Sequence, residues 1–353
     1  MSEYTAAVIG TGPEPDNIVW GESAAMAYRH GNGYRTLDRS DLVACCDIVR
    51  ENAAAFADEF DIPEENVFED HEEMIRTVEP DVVSICTPVP THADLVVSTL
   101  ETGVPAAVHC EKPMAETWED SKRMATLAEE TGIQLTFNHQ RRMGAAWQRA
   151  DELLEDGRIG DLVRIGVGGK NIFDFGSHLI DLANGYNGER GADWVLSQVH
   201  YTEEDVRYGT HNENQSVALW EYDNGVHAFA ATGKDTGGDA TGCLVRLVGT
   251  DGTIEVKPDT DGLVRYRSSD TDGWVTESPE NDGDKITLAL DHVMECLATG
   301  EDSMLSAENA LRATEIIFGA WESARQRSRV EFPLEYGGNA LTEMVDSGDL
   351  TPE

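Results

Sequence analysis

Lys112, Asp174 and His178 are of the types that together can strip a proton from a hydroxyl group and hold the charge left behind. Asp174 and His178 stand four apart, so on a helix they share a face and converge on one pocket, and Asp181 falls one turn on. An imidazole, with an unperturbed pKa near ~6.5, accepts a proton at neutral pH. An ammonium beside the same oxygen stabilises the developing alkoxide. A carboxylate beside both orients the hydroxyl and balances the lysine charge. Taken singly, each residue has a plainer reading. Asp174 and His178 also fit a structural helix pair, and Lys112 a surface lysine, although the chain has only six lysines.

A second group of residues has the chemistry of a nucleotide site. Gly10-Thr11-Gly12 ends the first apolar run. Glycine there permits a tight turn and lets backbone N–H groups approach a pyrophosphate at a helix N-terminus. The usual third glycine is missing: Pro13-Glu14-Pro15 follows, Gly21 arrives after a longer loop, and Ser23 is placed to cap the next helix. Asp47 closes the second apolar run, about 35 residues beyond Gly12 where ~20 is usual. A carboxylate there can accept hydrogen bonds from both ribose hydroxyls of an adenosine and repels a 2′-phosphate, which favours NAD over NADP. A solvated strand-end aspartate is the plainer alternative, and Arg50 keeps NADP open. Cys86-Thr87-Pro88, with His92 four residues on, and His109-Cys110-Glu111-Lys112-Pro113 each follow a further buried strand. Residues just past strand C-termini line the crevice where doubly wound sheets bind ligands.

These positions need a scaffold, and the chain alternates accordingly. Strands are expected over 5–9, 42–47, 82–85, 106–110 and 134–137, with helices over 23–30, 51–60, 92–102 and 116–131 between them. That pattern predicts an α/β fold: an N-terminal Rossmann-type, doubly wound parallel sheet over residues 1–138. Residues 139–336 read as an α+β domain with a large, mostly antiparallel open sheet. It has helices over 145–155 and 173–184, a strand over 162–167, successive strands from 194 to about 266, and helices over 285–298 and 307–326. Residues 337–353 read as an acidic, loosely held tail. The open sheet suggests a homodimer or homotetramer.

Glu111-Lys112-Pro113 at a strand end, followed by Asp174-Phe175-Gly176-Ser177-His178-Leu179-Ile180-Asp181, resembles the glucose–fructose oxidoreductase and inositol dehydrogenase family (Gfo/Idh/MocA). The resemblance runs from the glycine turn to the final long helix. It implies a dehydrogenase oxidising a hydroxyl of a sugar, inositol or related polyol or sugar acid by hydride transfer to NAD or NADP. Lys112 is then expected between nicotinamide and substrate oxygen, Asp174 on a substrate hydroxyl, and His178 as acid/base. The cofactor set is Gly10, Thr11, Gly12, Asp47, Thr87, Pro88, His92, Glu111 and Lys112. Two other outcomes known among relatives stay open: an NAD-dependent glycosidase and a non-catalytic NAD-binding sugar sensor. The chain departs from relatives in its insertion over 13–22 and in the short segment DLVRIGVGGKNIF before Asp174. Lys170 in that segment reaches either a substrate or solvent. The run Asn138-His139-Gln140-Arg141-Arg142 is a second place for substrate contact, through Gln140 and Arg141, although either arginine can equally pair with surface acids.

Composition limits the remaining classes. The net charge is −41, from 67 acidic and 26 basic residues. No basic stripe exists to displace phosphate counterions, so nucleic acid is not an expected partner. Acids spread over the chain and lysine scarcity resemble proteins of salt-loving microbes, where at about 1 M salt a Debye length of roughly 3 Å screens self-repulsion. No apolar run reaches the ~18 residues of a membrane span and no leader pattern opens the sequence, so a cytoplasmic protein is expected. The six cysteines lack CxxC spacing and read as reduced, with no metal site.

Overall fold

The computed structural model describes residues 3–13, 26–233, 241–258 and 262–353. Most of the 13–22 insertion, with Gly21 and the expected Ser23 cap, lies outside the described residues. By contacts the chain forms two units, Met1–Ala115 with Asp120–Gln140 and Gly283–Ala310, and Glu116–Glu119 with Arg141–Asp282 and Leu311–Glu353. Residues 283–310, expected within the C-terminal domain, therefore fall in the first unit.

The first unit alternates β1 (Tyr4–Ile9), α1 (Met26–Thr36), β2 (Ser40–Cys46), α2 (Arg50–Phe60), β3 (Val67–Phe68), α3 (His71–Val78), β4 (Val82–Ile85), α4 (His92–Glu101), β5 (Ala107–Cys110), α5 (Trp118–Thr131) and β6 (Gln134–Phe137). The strands form one parallel sheet in the order β3-β2-β1-β4-β5-β6. Order reverses between β1 and β4, which opens the crevice at the strand ends. Strands 82–85 and 107–110 are fully buried, as continuous apolar runs in a sheet covered on both faces should be.

Helix α1 continues six residues beyond the expected end at His30. Gly31 and Gly33 read as breakers, yet both are packing positions. A Cβ on Gly31 would lie 2.5 Å from the Phe60 ring, and one on Gly33 would lie 2.7 Å from Leu290. Burial against these neighbours outweighs the roughly 1 kcal/mol helix cost of each glycine.

The second unit begins with α6 (Ala145–Glu155), β7 (Leu162–Gly169) and α7 (Ser177–Tyr186). Strands β8 (Ala192–His200), β9 (Val206–Arg207), β10 (Thr210–His211), β11 (Gln215–Tyr222), β12 (His227–Gly233), β13 (Cys243–Gly249), β14 (Gly252–Pro258), β15 (Val264–Ser268) and β16 (Val275–Glu277) follow. Helix α8 (Lys285–Thr299) returns to the first unit, adding Ile286, Leu290, Val293 and Met294 to the core around Tyr28 and Phe56. The chain finishes with α9 (Ala307–Gln326), β17 (Val330–Glu331) and α10 (Ala340–Asp346). Among the described residues the sheet has nine strands, ordered β16-β15-β14-β13-β7-β12-β11-β8-β17. It is antiparallel except where β12 runs parallel to β7. Period-2 burial along β11 and β13 leaves one face in the core and the other with Val217 and Leu219 exposed.

Residues 337–353 are not a loose tail. Asn339 caps α10 through the Thr342 N–H, Ala340, Leu341 and Met344 are buried, and the Glu353 N–H donates to the Thr202 carbonyl at 2.7 Å. The acidic composition hid an apolar stripe of three residues.

Candidate active site

The nucleotide half lies at the carboxyl end of the first sheet. Gly10 has φ +82° and Gly12 φ +63°. A Cβ on Gly10 would sit 2.3 Å from the Thr87 methyl, so only glycine allows the β1 turn to approach the turn after β4. Asp47 accepts from the Gly12 N–H at 2.8 Å and the Thr11 hydroxyl at 3.3 Å through one oxygen. Its other oxygen accepts from the Val49 N–H at 2.9 Å and the Asn52 amide at 3.5 Å. The carboxylate thus ties the glycine turn to the end of β2. Arg50 donates to the Val67 carbonyl at 3.0 Å, turned toward β3, and the neighbouring Ile48 is 87% exposed. The Thr87 hydroxyl is buried with no partner among the described residues. An open glycine cradle, a strand-end carboxylate and an orphaned hydroxyl fit a dinucleotide.

His92 was expected in the cofactor set. It is fully buried, with Nδ1 2.9 Å from the Pro113 carbonyl and Nε2 2.8 Å from the Thr87 carbonyl. It braces the two loops that carry Thr87 and Lys112. Glu111 is likewise an internal strut. Its Oε1 lies 3.0 Å from His30 Nε2 and accepts from the Asn138 amide at 2.6 Å. Burial alone would raise its pKa, but these hydrogen bonds and the nearby Lys112 charge bring it down to about 2. His30 was missed because a histidine on an apolar helix face looks like packing. Ser84 and Tyr34 extend the same buried network.

Asp174 and His178 belong to the second unit. They do not share a helix as expected: α7 starts at Ser177, so Asp174 lies in the preceding turn and His178 in the first helical turn. Gly176 makes that turn possible, since a Cβ there would lie 2.4 Å from the Asn171 carbonyl oxygen. Three buried side chains pin the turn's backbone. The Phe175 N–H donates to Asn171 at 2.8 Å, the Asp174 N–H to Asn212 at 3.1 Å, and the Ile172 N–H to Glu213 at 2.6 Å. Helix α7 is fixed in turn by Arg142, which donates to both Asp181 oxygens at 2.6 and 2.9 Å and to the Asp181 carbonyl at 2.7 Å. Arg142 therefore pairs with a buried acid, not a surface one. His178 is nearly buried, Lys170 is exposed, and Gln140, at the end of the first unit, is nearly buried.

Asn212 and Glu213 escaped notice because Asn-Glu-Asn reads as a turn. Three polar residues abutting a strand without glycine or proline were the available signal. Glu213 is fully buried, and its oxygens accept from Ile172 and from the Trp321 indole at 3.2 Å. Burial pushes its pKa up to about 7, against the pull of those hydrogen bonds. The folded state then holds this proton more tightly than the unfolded chain between about 4.5 and 7. Its contribution to stability falls as pH rises through that window, by ~3 kcal/mol in all. Glu213→Gln is expected to flatten the corresponding slope of unfolding free energy against pH, measured by urea titration. Equal slopes in both proteins would show that Glu213 does not titrate there.

Comparison with known proteins agrees with this fold. Residues 18–139 match the model of an oxidoreductase family's NAD-binding Rossmann fold, and residues 166–332 that of the same family's C-terminal alpha/beta domain. The chain belongs to the Gfo/Idh/MocA oxidoreductase family. It is 29% identical over 202 residues to D-glucoside 3-dehydrogenase of Escherichia coli K12, spanning 52% of this chain and about half (53%) of that protein. It is 24% identical over 347 residues to D-apiose dehydrogenase of Paraburkholderia graminis, spanning 89% of each. An oxidoreductase from Agrobacterium radiobacter, solved with NAD+, L-tartaric acid and magnesium, shares the fold with a TM-score of 0.76 at 20% identity, over 94% of this chain and 98% of that one. Among the described residues no helix is long and apolar enough to cross a membrane.

Proposed function

We propose that the protein is an NAD-dependent dehydrogenase that oxidises a hydroxyl of a sugar, inositol or related polyol or sugar acid, with Lys112, Asp174 and His178 as its catalytic group. The bracing of the 171–178 segment carries this reading: Asn171, Asn212 and Glu213 fix the turn that bears Asp174, and Arg142 fixes the helix that bears His178. Buried polar groups spent on one short turn are the preorganisation that catalysis needs. Bound NAD supplies the hydride acceptor. His178 takes the hydroxyl proton, the Lys112 ammonium stabilises the oxygen as it becomes an alkoxide, and Asp174 orients the hydroxyl. Gln140 and Lys170 are candidates for further substrate contact. The dehydrogenase names of the two curated relatives support a carbohydrate substrate.

NAD is favoured over NADP by Asp47, whose carboxylate would repel a 2′-phosphate, while Arg50 is turned toward β3 by its hydrogen bond to the Val67 carbonyl. Asp47→Ala is expected to raise the NADP/NAD ratio of kcat/KM by about tenfold or more, since it removes a charge facing the 2′ position. An unchanged ratio would move the ribose contact to another residue. The charge of −41 supports work in concentrated salt, and the exposed face of the nine-stranded sheet supports a homodimer or homotetramer. The deciding assay is NADH formation from a panel of aldoses, inositols and sugar acids, in 0.1 and 2 M KCl. Failure of the whole panel in both salts would overturn the dehydrogenase reading.

A further inference from the structure

Two arginines stand side by side at the start of the second unit, and their environments are opposite. Arg142 is saturated by Asp181 and Glu189. Arg141 donates no hydrogen bond to a described residue. Its guanidinium carbon lies over the Phe175 ring, 4.1 Å from the centroid, with Asp174 as the acid that acts on its charge. The ring is itself held in place: the Phe175 N–H is bound by Asn171, and a Cβ on Gly169 would lie 2.8 Å from Phe175 Cδ1. The ring covers one side of the guanidinium, whose five N–H donors are left for an acceptor.

We propose that Arg141 forms an anion subsite beside Asp174, and that the substrate is a carboxylate-bearing sugar derivative, an aldonate or a uronate. The proposal rests on the dehydrogenase reading and narrows its substrate class. Burial brings the guanidinium's pKa down only to about 10, so the cation persists at any working pH. A planar carboxylate matches its edge with two parallel hydrogen bonds, which a neutral hydroxyl cannot. In a chain of net charge −41, an anionic substrate also needs a local cation of this kind to be held at all.

The test is calorimetric binding of D-gluconate and D-glucuronate, against D-glucitol and D-glucose, to NADH-loaded protein in 2 M KCl, run beside NADH formation from the same four compounds. An acid is expected to bind at least ~10-fold more tightly than its neutral counterpart. Arg141→Gln should collapse that ratio toward one, and Arg141→Lys, which keeps a charge on a folded protein, should retain part of it. Equal binding of acid and neutral partners, binding of neither acid, or a ratio unmoved in Arg141→Gln overturns the subsite. Acids that bind through Arg141 while no compound of the wider aldose, inositol and sugar-acid panel is oxidised would uphold the subsite and remove the dehydrogenase reading. Neutral sugars oxidised with no preference for acids would do the reverse.

Discussion

Lys112→Ala is expected to lower kcat/KM by about 10³-fold while leaving the Kd for NADH within a factor of about three, if Lys112 supplies the proposed charge beside a developing alkoxide. The two readouts are expected to separate because most of the proposed cofactor set lies elsewhere. The Gly10 turn, Asp47 and Thr87 keep every contact described for them, and Glu111 stays tied to His30 and Asn138. Lys112 follows β5 directly, so its backbone is set by a fully buried strand, with His92 bracing the loop after it. Fluorescence titration with NADH gives the binding constant, and single-turnover NADH formation gives the chemical step. Parallel loss of both would make Lys112 a cofactor or folding residue, and retention of both would remove it from the mechanism.

His178→Ala should slow hydride transfer by about 10²–10⁴-fold, the usual consequence of losing a general base. The side chain sits in the first turn of α7, a helix locked by the Arg142–Asp181 pair, so alanine at 178 leaves that pair intact. The discriminating measurement is the pH dependence of single-turnover rate. The wild-type limb that reports the base is expected to vanish in the variant. A slower enzyme with the same pH profile would assign the base elsewhere.

The doubly wound sheet was legible because its strands are short, mostly apolar and regularly spaced by helices, and because a glycine turn followed the first one. The family motifs also stood in contiguous sequence. What escaped was held by distant partners. Glu213 supports a backbone N–H 41 positions earlier, and no local pattern reports such a pairing. Helix α1 ran through two glycines because Phe60 and Leu290 fill the space beside them. Asp174 left the expected helix because Asn212 and Asn171 hold the backbone N–H groups of 174 and 175 in a turn. The C-terminal segment was judged by its charge, while its fold depended on Ala340, Leu341 and Met344. Composition describes solvent exposure on average and is blind to a few well-placed apolar side chains.

Asp47 has a practical corollary for redesigning coenzyme choice. Because it props up the glycine turn proposed to receive the pyrophosphate, exchanging it alone is expected to trade selectivity for a sagging entrance and weaker uptake of either coenzyme. A switch toward the phosphorylated form would be better begun at Ile48, which points into water and supports nothing, with Asp47 altered only after the turn has gained a substitute prop.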